Sequence, residues 1–393
     1  MTAGTLATTI RTAPRWQLVG RAGVALTLLV FLWQSPFFVW SDLSRVGTYL
    51  VQQGFVVAWV LLVTSFTRTV PLRTVATFWF VGVFPVMALA LLVDRPLEAM
   101  LDGGKLVSAY LGPLVEDLIK PLPVLALFAY RARRGGWQLS PTDGLLLGLM
   151  VGAGFAFHED AGYGRVWGGG FGDTSWSFLF PTVGEFRGDV LPGHDVMTAL
   201  VGLAIGFAFL YRRYRFAWIL PLVTWLIVLI EHVTGNLADL AGNLPRAAEV
   251  IRMLTLGGQG VVALLVGGTA AAVILERRAL HSITERDSLF PPIRIKEFME
   301  VLQQRSRASA RRVQAMLAYV RQRRSVYYSV WAAPDLAPAT LQEMASTLYG
   351  FGREAGVPVE QTFDEYDRIE QPAPTESQSV SPPEAASPNP APG

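Results

Sequence analysis

Over the first two thirds of the chain, apolar residues come in runs of about twenty, divided by short polar stretches. Wound as a helix at about 1.5 Å per residue, such a run crosses a hydrocarbon layer of about 30 Å. About eight are legible: 18–40, 47–66, 73–93, 111–130, 143–163, 190–211, 216–235 and 256–275. The fourth and fifth carry charges. The pattern predicts an all-α, polytopic transmembrane bundle. Beyond 276 it changes. Residues 294–324 set Phe298, Val301, Leu302, Val313, Met316, Leu317 and Val320 at helical spacing among arginines 305, 307, 311, 312, 321, 323 and 324. A short helix is expected over 337–355, and the Pro/Ser/Glu/Ala stretch from 371 predicts disorder. The expected organisation is therefore 1–74 for the first two spans, 75–275 for a membrane core, 276–370 for a basic cytoplasmic helical extension and 371–393 for a disordered tail.

Composition agrees with a membrane protein: 51% of residues are hydrophobic. The formal charge of +2 gives nucleic-acid binding no electrostatic support. There are no cysteines, so disulfides and thiolate metal sites are excluded. Arg11 and Arg15 precede a first run too long for a signal-peptide core, which reads as a retained anchor. Charge also sets orientation, because short arginine- and lysine-rich loops stay cytoplasmic. Arg68 and Arg73 follow the second run, Arg131, Arg133 and Arg134 the fourth, Arg212, Arg213 and Arg215 the sixth, and Arg277 and Arg278 the eighth. Every second connection is basic, which predicts a multi-pass cell-membrane protein with both termini cytoplasmic. The long outer connection 164–189, rich in glycine and aromatics, can lie over a site as a lid. The basic stretch after the last run suits anionic lipid at the inner surface, at about 1 kcal/mol per basic residue. Packing of a cytoplasmic helix on its neighbours explains it equally well.

Ionisable residues inside spans are costly and so point to function. Run four opens with Glu116, Asp117 and Lys120. Run five ends with His158, Glu159 and Asp160. Run six opens with His194 and Asp195, and run seven ends with Glu231, His232 and Asn236. On the orientation above, all four clusters fall in the outer part of the membrane. Glu116 and Lys120, Phe155 and Glu159, and His232 and Asn236 are each four apart and share a helix face. Gly148 with Gly152 and Gly202 with Gly206 permit close helix approach in the same runs. Headgroup contact is the plain alternative for Asp117, Asp160, Asp195 and Glu231, and neutralisation of Glu116 is the plain alternative for Lys120.

Two carboxylates, two imidazoles and a carboxamide suffice for hydrolysis. Glu116 can act as general base on a water, with His194 or His232 orienting it or protonating the leaving amine, and Asn236 donating to the oxyanion. Alternatively, His194, His232 and a carboxylate, Glu159, can hold Zn²⁺ with one open position. Both mechanisms stay open. His158-Glu159 begins the zinc pattern His-Glu-x-x-His, but Gly162 stands where the second His belongs. Gly170-Phe171-Gly172-Asp173 spells an aspartyl-protease pattern, but it falls in the outer loop without a partner Asp in a neighbouring run.

Glu116-Asp117-Leu118-Ile119-Lys120, Phe155-Ala156-Phe157-His158-Glu159, His194 and His232-Val233-Thr234-Gly235-Asn236 together resemble the PrsW-type intramembrane proteases, relatives of the CAAX prenyl proteases and the Abi/CPBP membrane proteins. The likeness covers about 75–275. It departs from the Glu-Glu-x-x-Lys pattern by one methylene, at Asp117. The prenyl-protease branch wants Phe-x-x-x-His, and Gly154 precedes His158 by four, which favours the PrsW branch. The resemblance implies an endopeptidase that clips membrane-anchored proteins, such as anti-sigma factors, near the outer surface. Two other functions remain. The chain can be an inactive scaffold or regulator of single-span partners, or a proton pathway. The pathway requires polar residues continuing inward, where the runs read as apolar.

Overall fold

The computed structural model describes residues 43–101, 104–133, 137–163, 175–186, 189–241, 250, 253, 256–284, 299–301, 303, 307–333 and 338–357. The first apolar run, Phe298, the Gly170–Asp173 pattern with its glycine-rich surroundings, and the 371–393 tail lie outside these residues.

Helix α1 is Leu43–Thr64. Helix α2 runs Leu72–Met100 and contains a π turn at Gly82–Val86, which accommodates Pro85 and its missing N–H. Then come α3 (Lys105–Ile119), α4 (Leu122–Arg133) and α5 (Pro141–Tyr163). An antiparallel hairpin, β1 (Gly184–Phe186) with β2 (Asp189–Leu191), leads into α6 (His194–Leu210). A 3₁₀ turn, Arg215–Trp218, precedes α7 (Ile219–Ala241). Helices α8 (Gln259–Thr284), α9 (Arg307–Ala332) and α10 (Pro338–Ala355) complete the described chain. Among the described residues the fold is all-α but for the hairpin.

Among the described residues, four helical stretches are long and apolar enough to cross a membrane, as in a multi-pass membrane protein: Val46–Thr64, Leu72–Met100, Arg215–Leu237 and Gln259–His281. The remaining runs differ for physical reasons. The sixth is a helix of only 17 residues, buried along nearly its whole length. The fifth, α5, is interrupted as an apolar segment by Asp143, Glu159 and Asp160.

Helices α5 and α6 form the centre, and glycines let them touch backbone to backbone. A Cβ on Gly144 would stand 2.2 Å from the Gly202 carbonyl oxygen, one on Gly148 2.4 Å from that of Thr198, and one on Gly152 2.2 Å from that of His194. Gly154 meets α2 as closely, at 2.1 Å from the Trp79 oxygen. Without a hydrophobic effect between helices in lipid, such close approach is what holds them.

The fourth run, expected as one span over 111–130, is broken into α3 and α4 at Lys120 and Pro121. Hydropathy does not register the break, because prolines 121 and 123 are compatible with an apolar run. Pro121 has no N–H to give to the Asp117 carbonyl one turn back. The Trp225 indole of α7 donates to that carbonyl instead, at 2.9 Å.

At the other end of α5, Ser140 and Asp143 make a reciprocal cap. The Ser140 N–H donates to Asp143 Oδ2 at 2.9 Å, and the Asp143 N–H to Ser140 Oγ at 3.1 Å. The same buried carboxylate receives Thr69 N–H, Val70 N–H and the Thr69 hydroxyl at 2.6–2.9 Å. Beside it, Glu276 of α8 accepts from Thr142 N–H and Oγ1 at 2.6 and 2.8 Å. Helix α9 docks on this end. Tyr328 donates to the Thr67 carbonyl at 3.0 Å, Arg324 to that of Ser65 at 2.8 Å and Ser325 to that of Gln138 at 2.7 Å. Asp143 and Glu276 thus stand at the opposite end of α5 from Glu159, outside the apolar stretch Leu145–Met150. A fully apolar layer, Leu145–Leu147, Leu149 and Val151, still separates them from the residues at the far end of α5.

Candidate active site

Glu116, Asp117 and Lys120 stand at the end of α3, just before its proline break. Glu159 lies near the end of α5, His194 opens α6, and His232 lies in the second half of α7. The fold brings these six side chains into one cluster. Lys120, 1% exposed, is its centre. Its Nζ donates to Glu116 Oε2 at 3.0 Å and Asp117 Oδ1 at 3.1 Å, and lies 2.8 Å from His194 Nδ1. Phe155 packs its ring edge-on to His194, with centroids 5.2 Å apart, and lies 4.4 Å from the ammonium. The Phe-x-x-x-Glu spacing thus puts a ring and a carboxylate of α5 against the same imidazole.

The hydrogen bonds fix the tautomers. An ammonium can only donate, so His194 Nδ1 accepts and Nε2 carries the proton. That Nε2 reaches Glu159 Oε2 at 2.7 Å. A carboxylate can only accept, so His232 donates through Nδ1 to Asp117 Oδ2 at 2.9 Å. His232 Nε2 then faces Glu116 Oε2 at 4.0 Å, and the two imidazoles stack edge to face at 4.9 Å between centroids. Each histidine is held by its own carboxylate. The single aspartate at 117 serves both Lys120 and His232, so the methylene missing relative to Glu does not disconnect it.

Exposure divides the cluster. The side chains of Glu116, Glu159 and His194 are 19%, 26% and 15% exposed, whereas Asp117 and Lys120 are 3% and 1%. The first three can meet a substrate, and the last two stand behind them.

Donor atoms of Glu116, His194 and His232 lie within 4.8 Å of one another, close enough to hold one metal ion. Two imidazoles and a carboxylate, each imidazole backed by a second carboxylate, suit Zn²⁺. The sequence expectation put Glu159 in that set. The structure gathers Glu116 with the two histidines and sets Glu159 against Nε2 of His194, an arrangement that spacing along the chain cannot reveal.

The other candidates are placed as follows. Asn236 is half-buried, one turn beyond His232 on α7. Asp195 is buried at the start of α6, accepting from the Thr182 hydroxyl at 2.6 Å and the Val196 N–H at 2.9 Å. His158 turns away to the backbone of Val83 in the π turn of α2. Asp160 meets Tyr49, and Glu231 is buried beside Gly258. Sequence reasoning missed the contribution of α1. Gln53 donates to the Ala153 carbonyl at 2.7 Å and accepts from the Trp79 indole at 3.2 Å, bracing α5 two turns before Glu159.

No curated protein and no solved structure matches the chain. Residues 70–275, more than half of it, match the family described as PrsW family intramembrane metalloprotease. That segment holds all six residues of the cluster and the whole α5–α6 pair, and the chain belongs to the PrsW family of intramembrane proteases.

Proposed function

We propose that this protease cuts membrane-anchored, single-span proteins near the outer face of the cell membrane, with Glu116, Glu159, His194 and His232 carrying the reaction. The observation that carries this reading is the pairing of two partly exposed carboxylates with two histidines, each imidazole fixed by a carboxylate. Glu159 and His194 form a proton-holding pair at 2.7 Å. The pair takes a proton from the attacking water and returns it to the leaving amine, so that hydroxyl ends on the carbonyl carbon and hydrogen on the nitrogen. Glu116 accepts the water's second hydrogen bond and fixes its direction of attack. Asn236, one turn from His232, donates to the developing oxyanion. Asp117 and Lys120 are positioning residues. Lys120 neutralises two carboxylates that would otherwise repel, and Asp117 keeps His232 in one tautomer. Glu116, His194 and His232 would hold a catalytic Zn²⁺, which supplies Lewis-acid polarisation of the carbonyl and an acidified water.

The orientation rests on the arginine-bearing loops and gains support from α5. Asp143 and Glu159 are sixteen residues apart on one helix, about 24 Å at 1.5 Å per residue. With the α9 docking face cytoplasmic, the cluster falls in the outer half. Both termini are then cytoplasmic. Exposed Arg311 and Arg312 of α9 suit contact with anionic lipid. Anti-sigma-factor-like proteins are the substrate class that the family resemblance suggests.

The test is cleavage of a tagged single-span substrate by purified protein carrying Glu116→Gln, Glu159→Gln or His194→Ala. Each variant is expected to lose at least about a hundredfold in rate. Undiminished cleavage in all three rejects the assignment. Wild type that captures the substrate and leaves it whole identifies a scaffold instead.

A further inference from the structure

The Lys120 ammonium stands among the donors that suit a metal. Of its three acceptors, Glu116 Oε2 at 3.0 Å and His194 Nδ1 at 2.8 Å belong to residues of the candidate metal set. The third, Asp117 Oδ1 at 3.1 Å, belongs to the carboxylate that holds the third member, His232. Three N–H donors therefore meet three acceptors, and the Phe155 ring lies 4.4 Å away.

His194 makes this arrangement exclusive. Its Nε2 is committed to Glu159 at 2.7 Å, so Nδ1 is the nitrogen left to ligate a metal. That nitrogen has one lone pair, and Lys120 uses it. A divalent cation on Nδ1 must displace the ammonium. It also brings two positive charges beside a third in a buried setting, where repulsion is weakly screened.

We propose that Lys120 and a divalent cation compete for the same donors, so that this lysine sets the metal affinity of the site and holds the cluster together before metal loads. The inference rests on the protease reading only in taking the cluster as the site; metal affinity and cleavage are measured separately.

The chain has three lysines, at 105, 120 and 296, which makes a direct test practicable. Full-length protein in detergent is titrated with Zn²⁺ against a chromophoric chelator. Lys120→Met, of similar length and uncharged, is expected to bind Zn²⁺ at least about tenfold more tightly than wild type, and Lys120→Arg no more tightly. Adding His194→Ala to Lys120→Met is expected to abolish the gain. Equal or weaker binding by Lys120→Met overturns the proposal and shows that the lysine supports the ligands. If that variant does not fold, wild type answers alone. Zn²⁺ is expected to raise labelling of Lys120 by an amine-reactive reagent, read by mass spectrometry against Lys105 and Lys296. Labelling that is unchanged or falls overturns the proposal. Loss of the competition with cleavage still abolished by Glu116→Gln rejects this inference and leaves the protease reading intact.

Discussion

Gly152→Ala adds one methyl group at the place where α5 touches the start of α6. The new Cβ would lie 2.2 Å from the His194 carbonyl oxygen and 2.7 Å from the Asp195 Cα. Ordinary contact begins at 3.4 Å, so the two helices must part by about 1.2 Å at this level. The obstacle is backbone on both sides, which no rotamer change relieves. Overpacking of this kind costs about 1–3 kcal/mol. Its effect on the reaction is larger, because His194 moves relative to Glu159, its partner at 2.7 Å. Misplacement of reacting groups by about 1 Å costs about a hundredfold in rate. The expected outcome is a folded protein with a lowered melting temperature and a cleavage rate down about a hundredfold, measured on a tagged single-span substrate. Gly267→Ala is the control, since a Cβ there meets nothing within 4 Å. It removes a helical glycine and is expected to be neutral or stabilising by up to about 1 kcal/mol. Cleavage by Gly152→Ala within about twofold of wild type refutes the claim that the α5–α6 contact sets the site geometry.

Further outcomes follow from particular contacts. Asp117→Asn leaves the shape intact but weakens its hold on Lys120 and on the His232 tautomer, and is expected to lower kcat about 10–100-fold with little change in KM. Trp225→Phe leaves the Asp117 carbonyl without the donor that Pro121 cannot supply, and is expected to cost about 1–3 kcal/mol in a thermal or denaturant unfolding series. Asp143→Ala strips the cap from α5 and leaves the N–H groups of Thr69, Val70 and Ser140 to find new acceptors. It is expected to destabilise by at least about 3 kcal/mol, seen as loss of folded protein on size exclusion, whereas Tyr328→Phe on the same network costs only about 1 kcal/mol.

What was legible in the sequence depended on how each feature is written there. The chemistry of the cluster was legible because charges in an apolar run stand out against its cost, and the four-residue spacings gave faces. Glycines at 148, 152, 202 and 206 announced the close helix pair for the same reason. The break at Pro121 was not read, because hydropathy averages over it and a proline in a membrane helix is tolerated. The network at the start of α5 was missed although Ser140-Pro141-Thr142-Asp143 is a helix-start pattern, with a capping residue, a proline at the first position and a carboxylate two residues after it. Glu276, which accepts from Thr142, lies 134 residues away in sequence, and nothing local joins the two. Gln53 and Tyr49 were missed because single polar residues in an apolar helix carry no periodic signal. That Glu116 gathers with both histidines, while Glu159 meets Nε2 of His194, is a tertiary arrangement that spacing along the chain does not carry.

The most direct test of the central claim uses purified wild type and Glu116→Gln with a single-span substrate labelled at both ends, in water enriched in ¹⁸O. Wild type is predicted to yield two fragments from one new break, near the outer end of the substrate's span, with ¹⁸O in the new carboxyl terminus, and Glu116→Gln to yield none. A substrate recovered whole from wild type, or fragments formed equally by Glu116→Gln, would contradict the account.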